Sequence, residues 1–343
     1  MDYADIRPGE EQDWNALEAY LRQHLPDARG PFRYAQFHGG HANLTYLIGF
    51  GDREWVLRRP PFGTIAPGAH DMRREFQILS ALPTHFAPAP RAHLLCTDAA
   101  VIGADFVVMD YRTGVVVRNR MPADFAGTPA AAERLTDALV RVCADLHRVD
   151  VAAAGLSSLG RPEGFVARQL RGWTKRWNLS KTHEVADMDR LLTDLERDVP
   201  APQRVSIVHG DLKFDNCQFQ PDDPDRVTSV FDWDMATLGD PLVDLAGLLS
   251  FWPDPRLGRM PDGFLRGDWP GKDHVRQAYA TASGLDLSRL PWYEALACAK
   301  TAVIAQQLYA RYRQGDSHDA RMEQFGAAAG AFAALGRAVL HEG

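Results

Sequence analysis

Hydrophobic positions in the first part of the chain change from a helical spacing to a strand-like spacing. Over residues 12–25 the apolar side chains recur at three- and four-residue steps, which predicts an amphipathic helix. Runs rich in aromatic and β-branched residues follow, separated by turns that contain glycine: Phe32–Phe37, Leu44–Phe50 and 54–58. These runs predict antiparallel strands joined by tight turns.

The pattern then predicts one more helix and two more strands before helices take over. Residues 70–82 carry apolar side chains on one helical face, and Pro83 would end that helix. Strands are expected near residues 91–96 and 104–111. From about residue 130 onward, apolar stripes at helical spacing dominate. We therefore expect an α+β fold in which a small antiparallel sheet precedes a larger, mainly helical region.

A segment rich in Gly, Pro and Ala, residues 112–129, separates the two patterns. Such a composition is typical of a passage between structural units. We predict a small amino-terminal unit, residues 1–111, and a larger carboxyl-terminal unit, residues 112–343. A second loop-rich stretch is expected at residues 253–270.

Composition and charge narrow the classes of function. The 343 residues are 45% hydrophobic and 24% charged, which is enough to bury a large core. A net charge of −7 argues against a nucleic-acid partner, and the four cysteines have no paired spacing that would predict disulfides or a zinc site. The start of the chain lacks the pattern of a signal peptide, and no apolar run approaches the length of a membrane span. We expect a cytoplasmic protein with a small-molecule partner and no membrane partner, either a monomer or a homodimer.

The chemistry-bearing residues fall in two short segments, HGDLKFDN at 209–216 and VFDWD at 230–234. In the first, Asn216 follows Asp211 by five positions; in the second, Asp232 closes a strand expected over residues 226–231. This order is the layout with which kinases hold a hydroxyl and two magnesium ions around a phosphate. A single copy of either segment is more often a turn, but the full ordered set favours a kinase-type site.

The residue types suggest a role for each position. Asp211 is expected to accept a proton from the acceptor hydroxyl, and Lys213 to neutralise charge on the transferred group. Asn216 and Asp232 offer the oxygen ligands that Mg²⁺ prefers. His209 is expected to fix the loop by hydrogen bonding rather than to bind metal.

Two further aspartates have weaker signals. Asp234 lies close enough to the metal-side aspartate to contact metal or substrate, or only to orient the loop. Asp240 precedes a proline at the start of a predicted helix, so we interpret it as a helix cap rather than as a catalytic residue.

Landmarks along nearly the whole chain, together with these two segments, resemble the aminoglycoside phosphotransferase-like (APH/choline kinase-like) superfamily. The landmarks are GGHANLTYLI, WVLRRPPFG, REFQILSAL, FVVMDY, LHRVD, RQLRGWTKRW, HGDLKFDN and VFDWDMATLGDP. The chain is most similar to the subfamily related to the kinase domain fused to certain acyl-CoA dehydrogenases. The resemblance implies a two-lobed protein-kinase-like fold, ATP and Mg²⁺ as cofactors, with GTP not excluded, and transfer of a phosphoryl group to a small-molecule hydroxyl.

The resemblance also implies a nucleotide-binding side. Gly39, Gly40 and Asn43 lie between two predicted strands, where glycines let backbone amides approach phosphates, although a simple hairpin turn is the alternative. Arg58 occupies the position of the strand-borne lysine of kinases, and Glu75 is its expected acidic partner. The alternative is an exposed ion pair. Arginine in place of lysine leaves the phosphate geometry and the nucleotide preference less determined than the metal site.

The hinge and the substrate side have less distinctive sequences. Met109, Asp110 and Tyr111 fall where kinases place the hinge that binds adenine through backbone groups, but their side chains could be core residues.

The stretch 168–177 has two faces if it is helical. Trp173 and Trp177 share one face, and Arg168 with two further basic residues forms another. These faces could contact an acceptor that carries a carboxylate or phosphate. The alternative, which the pattern favours, is a helix that packs its tryptophans into the core.

Three functions remain open at this point. The leading one is an ATP- and Mg²⁺-dependent kinase whose acceptor is a hydroxyl, with a hydroxy acid or hydroxyacyl-CoA suggested by the subfamily resemblance. The second is phosphorylation of an aminoglycoside or another antibiotic, which the superfamily name suggests but the subfamily landmarks disfavour. The third is a nucleotide-binding pseudokinase that acts as an interaction module; the intact Asp211, Asn216 and Asp232 argue against it, and Arg58 leaves it open.

Overall fold

The amino-terminal part of the molecule is built on a six-stranded antiparallel sheet. The computed structural model describes residues 3–39, 43–63, 70–257, 265–315 and 320–342. The strands of this sheet are β1 (Tyr3–Ala4), β2 (Phe32–Phe37), β3 (Leu44–Phe50), β4 (Arg53–Arg59), β5 (Ala92–Cys96) and β6 (Phe106–Asp110). Their order is β1-β2-β3-β4-β6-β5, so the predicted strands and their antiparallel pairing are confirmed.

Helices cover both faces of this sheet. α1 (Trp14–His24) begins after Asp13 and α2 (Met72–Ala81) begins after Asp71, and each aspartate accepts hydrogen bonds from backbone N–H groups of the first turn. A short helix, α3 (Ala99–Ile102), connects β5 to β6. Because side chains alternate along a strand, β6 contributes to an apolar cluster with α1 on one face and to a second cluster with α2 on the other.

The remainder of the chain is mainly helical and contains two small sheets. The helices are α4 (Ala131–Arg148), α5 (Phe165–Ser180), α6 (Ala186–Arg197), α7 (Leu242–Leu249), α8 (Lys272–Ser283), α9 (Leu290–Gln314) and α10 (Phe325–Glu342). The strands are β7 (Val115–Val116), β8 (Ser206–Val208), β9 (Cys217–Gln220), β10 (Asp223–Val230) and β11 (Thr237–Gly239). Short 3₁₀ helices occupy Leu82–Thr84, Ala123–Phe125, Phe214–Asn216, Pro255–Leu257 and Ala320–Gln324.

Two local predictions need correction. The strand expected over 226–231 runs from Asp223 to Val230, so Asp232 lies beyond the strand rather than closing it. The segment 112–129 is not only a connection, because β7 lies within it and pairs with β9. This pairing fastens the segment to the small sheet that carries the catalytic candidates.

The core of the helical part is continuous with the α2 side of the six-stranded sheet, since residues of both belong to one apolar cluster. A division of the chain at residues 111 and 112 stays a prediction. In the described ranges, no helix combines the length and apolar character that crossing a membrane requires.

Candidate active site

The two segments predicted to carry the chemistry lie side by side because of how their flanking strands pair. Residues 209–216 connect β8 to β9, and residues 231–236 connect β10 to β11. β8 pairs with β11 and β9 pairs with β10, so both ends of one segment are held beside both ends of the other. A backbone hydrogen bond of 2.9 Å from Phe231 N–H to the Asn216 carbonyl joins them. Residues far apart in sequence thereby share one site.

Asp211 contacts two of the predicted site residues. Asn216 Nδ2 donates to the Asp211 carbonyl oxygen at 2.7 Å and to Asp211 Oδ2 at 3.0 Å. Lys213 Nζ lies 3.1 Å from the same carboxylate oxygen, and the Asp211 side chain stays partly exposed. Because the Asn216 amide nitrogen faces Asp211, its amide oxygen is the atom left to bind a cation.

Asp232 has an unusual backbone conformation just beyond β10. Its φ of +71° makes it one of three non-glycine residues with positive φ in the described part of the chain, a region that costs an L-residue on the order of 1–2 kcal/mol. Burial would raise the pKa of Asp232, but the charge and hydrogen bond of Arg58 lower it below its ordinary value. The ionised carboxylate is an oxygen donor that suits Mg²⁺.

Arg58 lies between two carboxylates from different elements. Its Nη2 donates to Asp232 Oδ1 at 2.8 Å, and its Nη1 lies 2.8 Å from Glu75 Oε1 on α2. The side chains of Arg58 and Glu75 are 9% and 0% exposed, so the alternative of an exposed ion pair is wrong.

Glu75 is the more strongly perturbed member of this pair. Burial raises the pKa of Glu75 to about 7, although the Arg58 charge opposes the shift. Neither Glu75 oxygen accepts a well-oriented hydrogen bond from the residues that the structure describes, so the 2.8 Å approach to Arg58 is mainly a charge contact. Burial would lower the pKa of the Arg58 guanidinium, but the charges of Glu75 and Asp232 raise it above its ordinary value, so the guanidinium stays charged.

Asn43 and Asp234 contact each other across the cleft between β3 and the loop after β10. Asn43 Nδ2 donates to Asp234 Oδ2 at 3.3 Å, and His70 Nδ1 lies 2.8 Å from Asn43 Oδ1. Burial raises the pKa of Asp234, and the charge of Asp232 adds to the shift. The contact favours the interpretation that Asp234 orients its loop, while a role with metal or substrate stays a prediction.

The glycine-bearing loop after β2 faces an arginine that the sequence did not single out. Gly39 is described, whereas Gly40 lies outside the described residues. A Cβ placed on Gly39 would lie 3.3 Å from Arg118 Nη2. The charge of Arg118 also opposes the rise in pKa that burial gives Asp215. Arg118 therefore lies between the glycine-bearing loop and the segment 209–216.

Of the predicted hinge residues, Met109 and Asp110 end β6, and Tyr111 follows it. The Met109 side chain is buried in the core, and the Tyr111 ring lies 6.2 Å from that of Phe37. Asp110 accepts hydrogen bonds from the His93 side chain and from Arg91 N–H. Although burial would raise the pKa of Asp110, these bonds lower it to about 2. The Asp110 side chain thus has a structural role, and adenine recognition by the backbone stays a prediction.

The predicted substrate residues on helix α5 lie in different surroundings. Trp177 is 0% exposed within the apolar core, so the core alternative holds for it and we withdraw it as a substrate residue. Arg168 donates to the carbonyls of Glu163 and Arg161, in the loop before α5. Trp173 is also buried, but its ring lies near two cations, Arg176 and Lys300, at 4.4 Å and 5.8 Å from the centroid.

Buried polar contacts fix the loop that carries Asp211. Asp244 on α7 accepts hydrogen bonds from His209 N–H at 2.6 Å and from Gly210 N–H at 2.8 Å. The His209 ring lies 3.0 Å from the Phe231 carbonyl oxygen, which confirms the predicted hydrogen-bonding role of His209. Asp240 accepts from Leu242 N–H, as expected of a residue at a helix start.

The structure adds two functional candidates that we did not predict from the sequence, Arg118 and Lys300. Lys300 Nζ donates to the Gly210 carbonyl at 3.1 Å from the middle of α9. The sequence does carry a signal for Lys300, because it is the single charged residue between Glu294 and Gln306 in an otherwise uncharged stretch. Arg118 offers no comparable signal, since it lies in a segment with other arginines.

Similarity to known proteins covers most of the chain. The family model of the phosphotransferase enzyme family (APH) matches residues 33–282. Acyl-CoA dehydrogenase family member 11 of Rattus norvegicus is 34% identical over 330 residues, which make up 92% of this chain and 42% of that protein. The chain therefore spans less than half the length of this curated relative. The expected resemblance to the domain fused to acyl-CoA dehydrogenases is confirmed.

Solved structures with the same fold include two phosphotransferases. A candidate aminoglycoside phosphotransferase of Ralstonia eutropha is 30% identical, with a TM-score of 0.80 over 97% of this chain and 99% of that chain. An aminoglycoside phosphotransferase solved with GDP and kanamycin has a TM-score of 0.62 at 18% identity over 95% of this chain and 97% of that chain, and this likeness shows the fold alone. The expected kinase-like α+β fold is confirmed.

Proposed function

We propose, for a chain that belongs to the phosphotransferase enzyme family, that it transfers the γ-phosphoryl group of ATP to a hydroxyl of a small molecule in a Mg²⁺-dependent reaction. One observation carries the proposal: a backbone hydrogen bond from Phe231 to Asn216 joins the segments 209–216 and 231–236, so Asp232, the residue after Phe231, lies beside the Asp211–Asn216 pair. Membership in the family supports phosphotransfer, while the acceptor and the metal belong to the proposal.

The proposed metal ligands are Asn216 and Asp232. Their oxygen donors, one neutral amide and one carboxylate whose pKa is lowered, fit the preference of Mg²⁺ for hard oxygen ligands. When bound, Mg²⁺ would neutralise charge on the phosphate oxygens. Arg58 would add a second positive charge on the nucleotide side, because it lies against Asp232.

Asp211 would act on the acceptor. Its partly exposed carboxylate would accept a hydrogen bond from the hydroxyl and take its proton as the new oxygen–phosphorus bond forms, while the bond between the γ-phosphorus and the bridging oxygen breaks and ADP leaves. Asn216 orients this carboxylate through its amide hydrogen bond. Lys213, 3.1 Å from the same carboxylate, would reduce the charge that develops on the transferred group.

The acceptor that we propose is a hydroxy acid or a hydroxyacyl-CoA. The support is the similarity to acyl-CoA dehydrogenase family member 11, whose name refers to acyl-CoA chemistry. The second candidate, an aminoglycoside, is favoured by the kinase solved with kanamycin, which is a fold-level likeness only. A pseudokinase is the third candidate, and retention of Asp211, Asn216 and Asp232 disfavours it.

A pair of variants tests the catalytic assignment. Asp211→Ala should lower turnover roughly 10²–10⁴-fold, with little change in MgATP affinity, because the carboxylate acts on the acceptor. Asp225→Asn is the matched control, since Asp225 is an exposed aspartate that pairs with Arg134 away from the site. Coupled phosphotransfer assays provide the rates, and wild-type turnover in Asp211→Ala would remove this residue from the mechanism.

Calorimetric titration tests the metal assignment separately. Wild-type protein should bind ATP more tightly with Mg²⁺ than without it, and Asp232→Asn should lose most of this difference because the carboxylate becomes a neutral amide. Parallel titrations with GTP decide the nucleotide preference, a relevant comparison because a kinase of the same fold was solved with GDP. Normal MgATP affinity in Asp232→Asn would contradict the assignment.

A further inference from the structure

The side of Asp211 that faces α5 and α9 carries Lys300, a lysine that the proposed mechanism leaves unassigned. Its ammonium donates to the carbonyl of Gly210, the residue immediately before Asp211. Within the described ranges, no carboxylate forms an ion pair with Lys300, although its side chain is half-buried. Burial lowers the pKa of Lys300, while the charges of Asp211 and Asp244 oppose the shift. An ammonium in such a position is stabilised by an additional anion.

A second cation reinforces the positive charge at this place. The Arg176 guanidinium lies 4.4 Å from the Trp173 ring centroid, and Lys300 Nζ lies 5.8 Å from the same centroid. The charge of Arg176 also contributes to lowering the pKa of Lys300, which indicates that the two cations are close enough to repel each other. Arg176 has no ion pair with any residue that the structure describes, and its side chain is exposed. Both cations near the Trp173 ring thus lack a carboxylate partner among the residues that the structure describes.

The acids nearby are already engaged. Asp244 accepts two backbone hydrogen bonds, from His209 and Gly210, and Asp211 is paired with Lys213. Three cations, Lys300, Arg176 and Lys213, face the two carboxylates of Asp211 and Asp244, so these five groups carry a net positive charge although the whole chain has a net charge of −7. A polycationic acceptor would be repelled at this place, whereas an anionic group would be attracted.

We propose that Lys300, together with Arg176 beside Trp173, binds an anionic group of the acceptor and so holds the acceptor hydroxyl at Asp211. The inference rests on the proposed phosphotransferase function and specifies its substrate class. Carboxylates and phosphates share the chemistry that these two cations recognise. The carboxylate of a free hydroxy acid and the phosphates of a CoA thioester are the two sources of such a group.

The alternative for Lys300 is a purely structural role, in which its hydrogen bond to Gly210 only holds the loop. The two roles differ in selectivity. Loss of a structural tether would displace Asp211 and slow transfer to every acceptor alike. Loss of an anion-binding group would reduce transfer to anionic acceptors more than to neutral ones of the same shape.

The test compares acceptors that differ in charge. Wild-type protein, Lys300→Met and Lys300→Arg are assayed with 3-hydroxybutanoate, its CoA thioester and the neutral 1,3-butanediol. The ratio of kcat/KM for the anionic acceptor over the diol should fall roughly 10-fold to 100-fold in Lys300→Met, the effect of losing one charged hydrogen bond, and recover in part in Lys300→Arg. Lys181→Met is the matched control, because Lys181 pairs with the exposed Glu184. If kcat/KM falls in Lys300→Met only for the free acid, the recognised anion is a carboxylate; if it falls only for the thioester, the anion is a phosphate of CoA.

Calorimetry makes the result independent of turnover. Each acceptor is titrated into wild-type protein and Lys300→Met in the presence of Mg²⁺ and a non-hydrolysable ATP analogue, and unfolding midpoints confirm that both proteins fold. Weaker binding of the anionic acceptors in the variant supports the inference. The inference is overturned if the ratio of kcat/KM for the anionic acceptor over the neutral one is the same in Lys300→Met as in wild type. It is also overturned if the anions do not bind to wild-type protein, or if kanamycin binds more tightly than the anions. Absence of MgATP binding or of phosphoryl transfer would instead contradict the proposed function.

Discussion

Asp244 supports the loop that carries Asp211, and its replacement by asparagine should destabilise the protein. The carboxylate is buried and accepts N–H bonds from His209 at 2.6 Å and Gly210 at 2.8 Å, one on each oxygen. His147 Nε2 lies 3.2 Å from the same oxygen that accepts from His209. Asparagine has the same shape but one acceptor oxygen, so one of the two backbone N–H groups would face an NH₂ group.

The expected loss follows from these contacts. Leaving one buried N–H unsatisfied costs roughly 1–3 kcal/mol, and the remaining bond loses its charge assistance, so we expect a loss of roughly 2–5 kcal/mol in the free energy of unfolding at pH 7. Burial would raise the pKa of Asp244, but its hydrogen bonds to His147 and the backbone lower it below the ordinary value. The stabilisation is therefore present above the unfolded pKa of about 3.9 and is lost as pH falls through the folded pKa.

Urea unfolding, followed by tryptophan fluorescence at pH 7 and at successively lower pH, provides the measurement. Asp244→Asn should unfold at a lower urea midpoint than wild type at pH 7, and the difference should shrink as the pH falls below about 4 toward the lowered pKa of folded Asp244. Asp145→Asn serves as the control, since Asp145 is an exposed acid that pairs with Arg148 on the same helix. Equal unfolding free energies of Asp244→Asn and wild type at pH 7, or a difference that persists in strong acid, would refute this reasoning.

Three other replacements test separate parts of the structure. Arg58→Met should lower kcat/KM for MgATP by roughly 10²-fold or more. Arg58→Lys should restore only part of the lost kcat/KM, because one ammonium cannot face Glu75 and Asp232 as the guanidinium does. Steady-state kinetics at varied MgATP measure both variants, and wild-type kcat/KM in Arg58→Met would contradict the assignment. Trp177→Leu should lower the free energy of unfolding by roughly 2–4 kcal/mol and leave the acceptor KM unchanged, since the side chain lies in the core. A raised acceptor KM in a stably folded variant would show that Trp177 contacts the substrate after all. Tyr293→Phe should destabilise by roughly 1–3 kcal/mol, because the buried Asp240 carboxylate loses its 2.6 Å hydroxyl donor, and urea denaturation would detect the change.

The parts of the fold that the sequence predicts best are those in which local spacing and turn chemistry agree. β2 and β3 match their predicted bounds because both runs are rich in aromatic or branched residues and lie between turns that contain glycine. α2 begins at Met72 rather than at residue 70, since Asp71 caps its first turn. The end of β10 was misplaced because Asp232 adopts a positive φ, which only tertiary contacts sustain for a non-glycine residue.

The candidate site was predictable where its residues share a short motif and not where distant helices complete it. Asp211 and Asn216 lie within one loop, so their spacing in sequence carries the geometry. Lys300 reaches the same loop from α9, and no spacing rule relates a residue in a long helix to a loop some ninety positions earlier. Trp173 and Trp177 differ in their surroundings although they share a helical face, because the neighbouring helices decide which side chains stay near the site.

Arg58 shows why an arginine is suited to the position that a lysine occupies in other kinases. Its two terminal nitrogens each lie 2.8 Å from a carboxylate, one on α2 and one in the loop after β10, so a single side chain of β4 fixes three elements relative to one another. A lysine offers one ammonium centre and would have to divide it between the two acids. Because Asp232 belongs to the loop beside Asp211, the guanidinium also links α2 and β4 to the part of the chain that carries Asp211. We infer that the departure from lysine reflects this bridging geometry rather than the loss of a nucleotide site.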